Sequence, residues 1–243
     1  MAIEFSIYHQ PFMLYGGAVE TSNPVTNPGS ELSDALLYGI LDMGYIEPEQ
    51  IQEVAEALIR GGAGVLQLRA KGYDCDAVIA LVRNHAPRLV QFCKSKAVPL
   101  VINDYAEAAV ALGADGVHIG QDDGSLTEVR QIVGDQILVG RSTHSLDQAR
   151  AALEEGFDYI GFGPLFPTPT KKGRPGIGIE QVSQAEKEIG SQIPVFCIGG
   201  IKPENLELVL ASGARRVVIV SALLQADDIV QTTQNIIRDL KAG

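Results

Sequence analysis

"VINDYAEAAVALGADGVHIGQDDGSL", residues 101–126, holds two apolar runs that stop abruptly on polar residues. The first ends on Asn103-Asp104 and the second on Gly120-Gln121-Asp122-Asp123. Both runs read as short β-strands, and each is followed directly by a carboxylate.

The same unit recurs along the chain. Strand-like runs appear at 35–42, 64–70, 98–104, 113–120, 136–142, 157–163, 193–200 and 215–221. Between most of them lie amphipathic helical patterns such as PEQIQEVAEALIRGG, DQARAALEEG and PENLELVLASG, each closing on glycine, the residue suited to a left-handed helix end. Alternating strands and helices imply parallel strands. Eight units in about 210 residues suffice for a (βα)8 barrel at the short end of its range. An open doubly wound sheet is the competing fold, and LDMGYIEPE after the first strand lacks the glycine-rich loop that would favour it. Residues 1–34, with TSNPVTNPGSELS, read as an arm or loop, and 35–243 as one barrel domain.

Bulk properties narrow the function classes. The net charge is −11, from 19 basic and 30 acidic residues, which argues against a nucleic-acid surface. No apolar stretch approaches the roughly 20 residues of a membrane span. The start, MAIEFSIYHQPFML, has neither a basic region nor a small-residue cleavage site, so no signal peptide is expected. Cys75, Cys93 and Cys197 lack metal-ligand spacing and read as reduced thiols of a cytoplasmic protein.

In a barrel, reacting groups sit where strands end and the following loops begin. Side chains alternate along a strand, so Gln67, Arg69 and Lys71 are expected to share the inward face and offer two cations to an anion. Asp104 and Asp122 suit magnesium, which takes few protein carboxylates and fills its shell with water and phosphate oxygens; the alternative is a pair of helix N-caps. The loop TPTKKG, 168–173, carries two hydroxyls and two ammonium groups, a weak motif alone. Gly199-Gly200 would let backbone approach a ligand, and Ser221 offers amides at a helix start, the pair of loops where barrels commonly hold phosphate. His118 reads as a partly buried, hydrogen-bonded histidine; His144 opens a helical stretch near the same rim and reads either as a surface residue or as a second histidine at the mouth.

These residues resemble the thiamine phosphate synthase family. The likeness rests on QLRAK, VINDYAEAAVALGADGVHIGQDD, VGRSTHS, DYIGFGPLFPTPTKK, PVFCIGGIKPEN and VVIVSAL and spans about 35–225. It implies a (βα)8 barrel that joins a pyrimidine diphosphate to a thiazole phosphate and releases pyrophosphate. It further implies that Gln67, Leu68, Arg69, Ala70, Lys71 and Asn103 hold the pyrimidine diphosphate, and that Asp104 and Asp122 hold Mg2+. Ser142 would contact the pyrimidine or its leaving group, and Lys171 the diphosphate. Thr168, Pro169 and Thr170 would meet the thiazole phosphate, whose phosphate Gly200, Val220 and Ser221 would grip. Catalysis would rest on Ser142, Arg69 and Lys171, with small molecules as partners; a homo-oligomer is compatible with the resemblance.

The chain departs from the family at Ala70, where glutamate is usual, and at GILDMG, where a Thr-Asp pair is more common, although Asp42 remains. Two other readings compete: a thiazole tautomerase of the same barrel family, and a non-catalytic barrel that holds thiamine phosphate.

Overall fold

A computed structural model describes residues 32–168 and 175–242. All eight expected strands form: β1 (Leu37–Asp42), β2 (Val65–Arg69), β3 (Leu100–Asn103), β4 (Gly116–Ile119), β5 (Leu138–Thr143), β6 (Tyr159–Phe162), β7 (Val195–Ile198) and β8 (Val217–Ile219). Every neighbouring pair is parallel, and β1 pairs with both β2 and β8, so the sheet closes into a barrel. The register that closes it sets Tyr38 beside Val65 on one side and Val218 on the other. Parallel strands are covered on both faces, which is why each reads as a nearly continuous apolar run.

The two faces build two cores. Outward residues such as Leu41, Leu66, Leu68, Ile102, Val117 and Ile160 pack under the helices. Inward residues form a separate layer that includes Tyr38, Ile40, Val65, Val101, Leu138, Tyr159, Phe196 and Val218. Leu32 belongs to this inner layer and is buried, and residues 32–34 make a helical turn whose Ser33 carbonyl accepts from Arg216. The last residues assigned to an arm thus pack against the barrel.

Ten α-helices surround the strands among the described residues. They are α1 (Ile51–Gly61), α2 (Cys75–His85), α3 (Leu89–Ser95), α4 (Ala106–Leu112), α5 (Leu126–Val133), α6 (Leu146–Glu155), α7 (Val182–Glu188), α8 (Pro203–Ala211), α9 (Ser221–Leu224) and α10 (Ile229–Ala242). Helices α1 and α6 end on Gly62 and Gly156 in the left-handed region, as their sequences predict. Helix α8 ends one residue earlier than its glycine, on Ser212, with Gly213 following at φ 101°. No helix of the described residues is long and apolar enough to cross a membrane.

Candidate active site

A cavity of about 940 Å³ opens at the C-terminal ends of the strands. Its wall takes Gln67 and Arg69 from β2, Asn103 from β3, His118 from β4 and Ser142 from β5. Opposite stand Gly200 after β7, Val220 and Ser221 after β8, and Thr168 after β6. One chamber therefore receives most of the polar groups that the sequence places at strand ends.

On the β2 side, the cation is already balanced. Arg69 Nη1 donates to Asp42 Oδ2 at 2.6 Å, and Asp42 Oδ1 accepts from the Gly44 amide at 2.9 Å. Asp42 is 2% exposed, so this ion pair is buried at the mouth. Lys71 behaves differently from expectation. Strand β2 stops at Arg69, so alternation no longer aims Lys71 inward; it is exposed, lies outside the cavity wall, and donates to Asp104. Leu68 and Ala70 face the outer core, so their side chains point away from the chamber and only their backbone can meet a ligand there.

Asp104 is one of two non-glycine described residues with positive φ, at 68°. Its amide donates to the His118 carbonyl at 2.9 Å, and the next amide, of Tyr105, donates back to the Asn103 carbonyl at 2.9 Å. A tight turn thus holds a left-handed aspartate, a conformation that costs energy and concentrates at functional turns. Neither aspartate caps a helix. Tyr105 stands at the N-cap of α4, and Ser125 caps α5 through a capping box with Glu128. The helix-cap alternative for Asp104 and Asp122 is thereby removed. Asp122 is exposed, and its neighbour Asp123 accepts from the Gly120 amide at 2.7 Å. Asp104 and Asp122 are the carboxylates after β3 and β4 that could meet a hard cation; among the described residues no cluster of three or more His, Cys, Asp or Glu side chains is arranged for a metal.

His118 and Ser142 meet at the centre. His118 Nε2 lies 3.0 Å from Ser142 Oγ, and Nδ1 lies 3.2 Å from the Tyr159 hydroxyl. Tyr159 and Tyr38 are buried phenols whose oxygens are 3.1 Å apart, and burial pushes both above the usual tyrosine range. Gly140 makes room for them: a Cβ there would lie 2.1 Å from the Tyr159 ring. Of the two readings of His144, the structure supports the one at the mouth: it lines the cavity, because Ser145 takes the N-cap of α6 and leaves the His144 imidazole to bond the Gly163 carbonyl.

On the β7–β8 side, Gly199 and Gly200 adopt φ values of 98° and 65°. A Cβ on Gly200 would lie 2.7 Å from the Phe166 Cβ, so both space and conformation demand glycine. Gln225 and Asp228 from the loop between α9 and α10, with Gln231 on the first turn of α10, close the wall, and no motif marked them. Pro169, Thr170 and Lys171 lie outside the described residues.

Sequence comparison places these features in a family. The profile of thiamine monophosphate synthase matches residues 37–223. A thiamine-phosphate synthase of Thermus thermophilus is 44% identical over 173 residues, covering 71% of this chain and 81% of the relative. One from Nostoc is 41% identical over 192 residues, where this chain spans 53% of the relative's length. Among solved structures, a thiamine phosphate pyrophosphorylase from Pyrococcus furiosus superimposes with a TM-score of 0.74 at 28% identity, covering 88% of this chain and 98% of that one. The chain belongs to the thiamine monophosphate synthase family.

Proposed function

We propose that the chain condenses 4-amino-2-methyl-5-(diphosphomethyl)pyrimidine with a thiazole phosphate, giving thiamine phosphate and pyrophosphate. The observation that carries this reading is the single chamber with Arg69, Asn103 and Ser142 on one side and Gly200, Val220 and Ser221 on the other. Two anionic ligands can enter one space from opposite walls, with their reacting ends between them.

The reaction follows from that arrangement. The bond between the pyrimidine methylene and the diphosphate oxygen breaks, and its electron pair leaves with the oxygen. Arg69 stabilises the charge that develops there, and Lys71 and Lys171 are the further cations proposed for the diphosphate. The thiazole nitrogen, held by backbone amides around Gly200 and Ser221 gripping its phosphate, then shares its lone pair with the methylene carbon. No protein nucleophile or general base is needed, so rate comes from positioning and electrostatics. Asp104 and Asp122 offer oxygen donors alone, the chemistry that magnesium prefers, and water and diphosphate oxygens would complete the shell. When bound, that ion would supply positive charge to the departing pyrophosphate.

A thiazole tautomerase is the second reading, favoured by His118 and His144 both lining the cavity as candidate proton carriers. The deciding assay is pyrophosphate release with both substrates and magnesium. Release that requires all three supports the synthase; conversion of a thiazole carboxylate phosphate without pyrophosphate would overturn it.

A further inference from the structure

Five side chains form a row across the barrel mouth that ends on Ser142. Gln67 Nε2 donates to the Tyr38 hydroxyl at 3.0 Å. The Tyr38 and Tyr159 oxygens are 3.1 Å apart, Tyr159 is 3.2 Å from His118 Nδ1, and His118 Nε2 is 3.0 Å from Ser142 Oγ. The members come from β2, β1, β6, β4 and β5, so the row crosses the interior instead of following the sheet.

Each phenol has one hydrogen to give, so the row can run in either of two directions, and the donation from Gln67 at one end favours the direction toward Ser142. The amide NH2 of Gln67 can only donate. In that direction Tyr38, accepting from Gln67, gives its own hydrogen to Tyr159, and Tyr159 gives its hydrogen to His118 Nδ1. A neutral imidazole that accepts at Nδ1 carries its hydrogen on Nε2. That hydrogen goes to Ser142 Oγ, which leaves the serine hydrogen directed elsewhere, and Ser142 faces the cavity.

We propose that Gln67, Tyr38, Tyr159 and His118 are positioning residues forming a polarised relay, which holds His118 as the Nε2-H tautomer and turns the Ser142 hydroxyl into a donor aimed at the leaving oxygen. The tautomer assignment stands on the row alone; the role at the leaving oxygen rests on the synthase reading. In this direction His118 Nε2 is a donor and does not take the serine proton, the opposite of a histidine that makes serine a nucleophile.

Two features keep the row in place. Burial holds both phenols protonated across the neutral range, so neither donor is lost by ionisation. The rings are also locked by packing: Phe196 meets Tyr38 edge-on at 5.2 Å between centroids and Tyr159 at 6.0 Å. Both tyrosines carry short polar links where an apolar core residue would fill the same volume, which points to a directional role.

The direction is read by 15N spectra of the wild-type protein labelled at histidine, without substrate and at mildly alkaline pH, with His118→Asn used only to assign the signal. The expected spectrum shows His118 neutral with its hydrogen on Nε2. A hydrogen on Nδ1 would reverse the row and overturn the proposal. Kinetics supply the second reading. Tyr159→Phe keeps the ring and removes the donor to Nδ1, so kcat should fall about tenfold with each KM within about twofold, a fraction of what a lost transition-state donor costs. In a Ser142→Ala background the same change should cost almost nothing more, because its effect passes through Ser142. A full penalty in that background would mean that Tyr159 matters only for packing, and the relay would be wrong. If the tautomer is as expected and no pyrophosphate is ever released, the relay stands and the synthase reading fails.

Discussion

Arg69 and Asp42 form an ion pair of 2.6 Å at the neck of the cavity, with both side chains largely buried. The guanidinium that would receive a diphosphate is therefore held from beneath by a carboxylate on the adjacent strand. Strands β1 and β2 bring the two residues directly opposite each other. Removing one partner of a buried pair strands the other charge and typically costs about 3–5 kcal/mol. Asp42→Ala should lower the melting temperature markedly and raise KM for the pyrimidine diphosphate. Asp42→Asn keeps an acceptor for Arg69 and should be milder in both. Equal effects of the two changes in thermal melts and initial-rate assays would show that the pairing does not position Arg69.

Asp104 separates stability from function. Its backbone sits at φ 68°, where a side chain costs about 1–2 kcal/mol relative to glycine. Its carboxylate contacts Lys71, an exposed partner worth about 0.2–1 kcal/mol at most. Asp104→Gly should therefore leave the protein as stable as the wild type to within about 1 kcal/mol, while turnover with magnesium collapses. Denaturant titration beside a magnesium-dependence curve checks both halves. Full activity of this variant, or of the wild type in a chelator, would overturn the proposed magnesium role of Asp104.

The two walls should respond separately. Gly200→Ala adds a methyl in a left-handed position against Phe166. It should raise KM for the thiazole phosphate far more than for the pyrimidine diphosphate, whereas Arg69→Ala should do the reverse. Calorimetric titration of each substrate alone tests the assignment, and crossed results would mean that the walls are exchanged.

Buried thiols predict the alkaline limit. Burial pushes Cys93 up to about 12 from its ordinary 9.0. A group whose folded value is raised supports the fold fully below its unfolded value and loses that support as pH climbs toward the folded one. Unfolding free energy should hold steady below pH 9 and fall between 9 and 12 as the unfolded chain sheds this proton. Cys93→Ala, measured by denaturant melts across that range, should start less stable, because it opens space in the core, but show a shallower decline.

What the sequence makes legible follows from periodicity. Strands buried on both faces read as apolar runs, and glycines at positive φ mark helix ends, so eight strands in order were accessible. Residues on the inward face were accessible while the strand lasted; Lys71 fell outside because β2 ends two residues earlier. The Tyr38–Tyr159 contact joins residues 121 positions apart. Alternation puts each on the inner face but does not tell which inner residues meet. Gly140 was the available signal, since a glycine in the middle of an inward row leaves space that some large neighbour must fill. The left-handed turn at Asp104 had no glycine to announce it. Asp42 kept its place in the sequence, but its partner depends on register, which only the closed sheet supplies.

Ser142 and His144 separate the two enzymatic readings. In the proposed synthase reaction, the Ser142 hydroxyl would meet charge that grows on the leaving oxygen, so its contribution would be larger in the transition state than in the ground state. Losing one such donor typically lowers the rate by about 10²–10³. Ser142→Ala should therefore reduce kcat by that order while each KM changes little. His144 is the better histidine for the opposite arm, because His118 bonds Ser142 and its loss would disturb either reaction. His144 lines the chamber and bonds the Gly163 carbonyl, so His144→Gln can keep a donor to that carbonyl while removing a titratable ring. A synthase should tolerate it within about fivefold, a loss near 1 kcal/mol. A tautomerase that moves its proton through His144 should lose most of its activity and tolerate Ser142→Ala. Parallel assays of both variants for pyrophosphate release and for thiazole tautomer exchange give the answer: loss at His144 with Ser142 dispensable would make this barrel an isomerase.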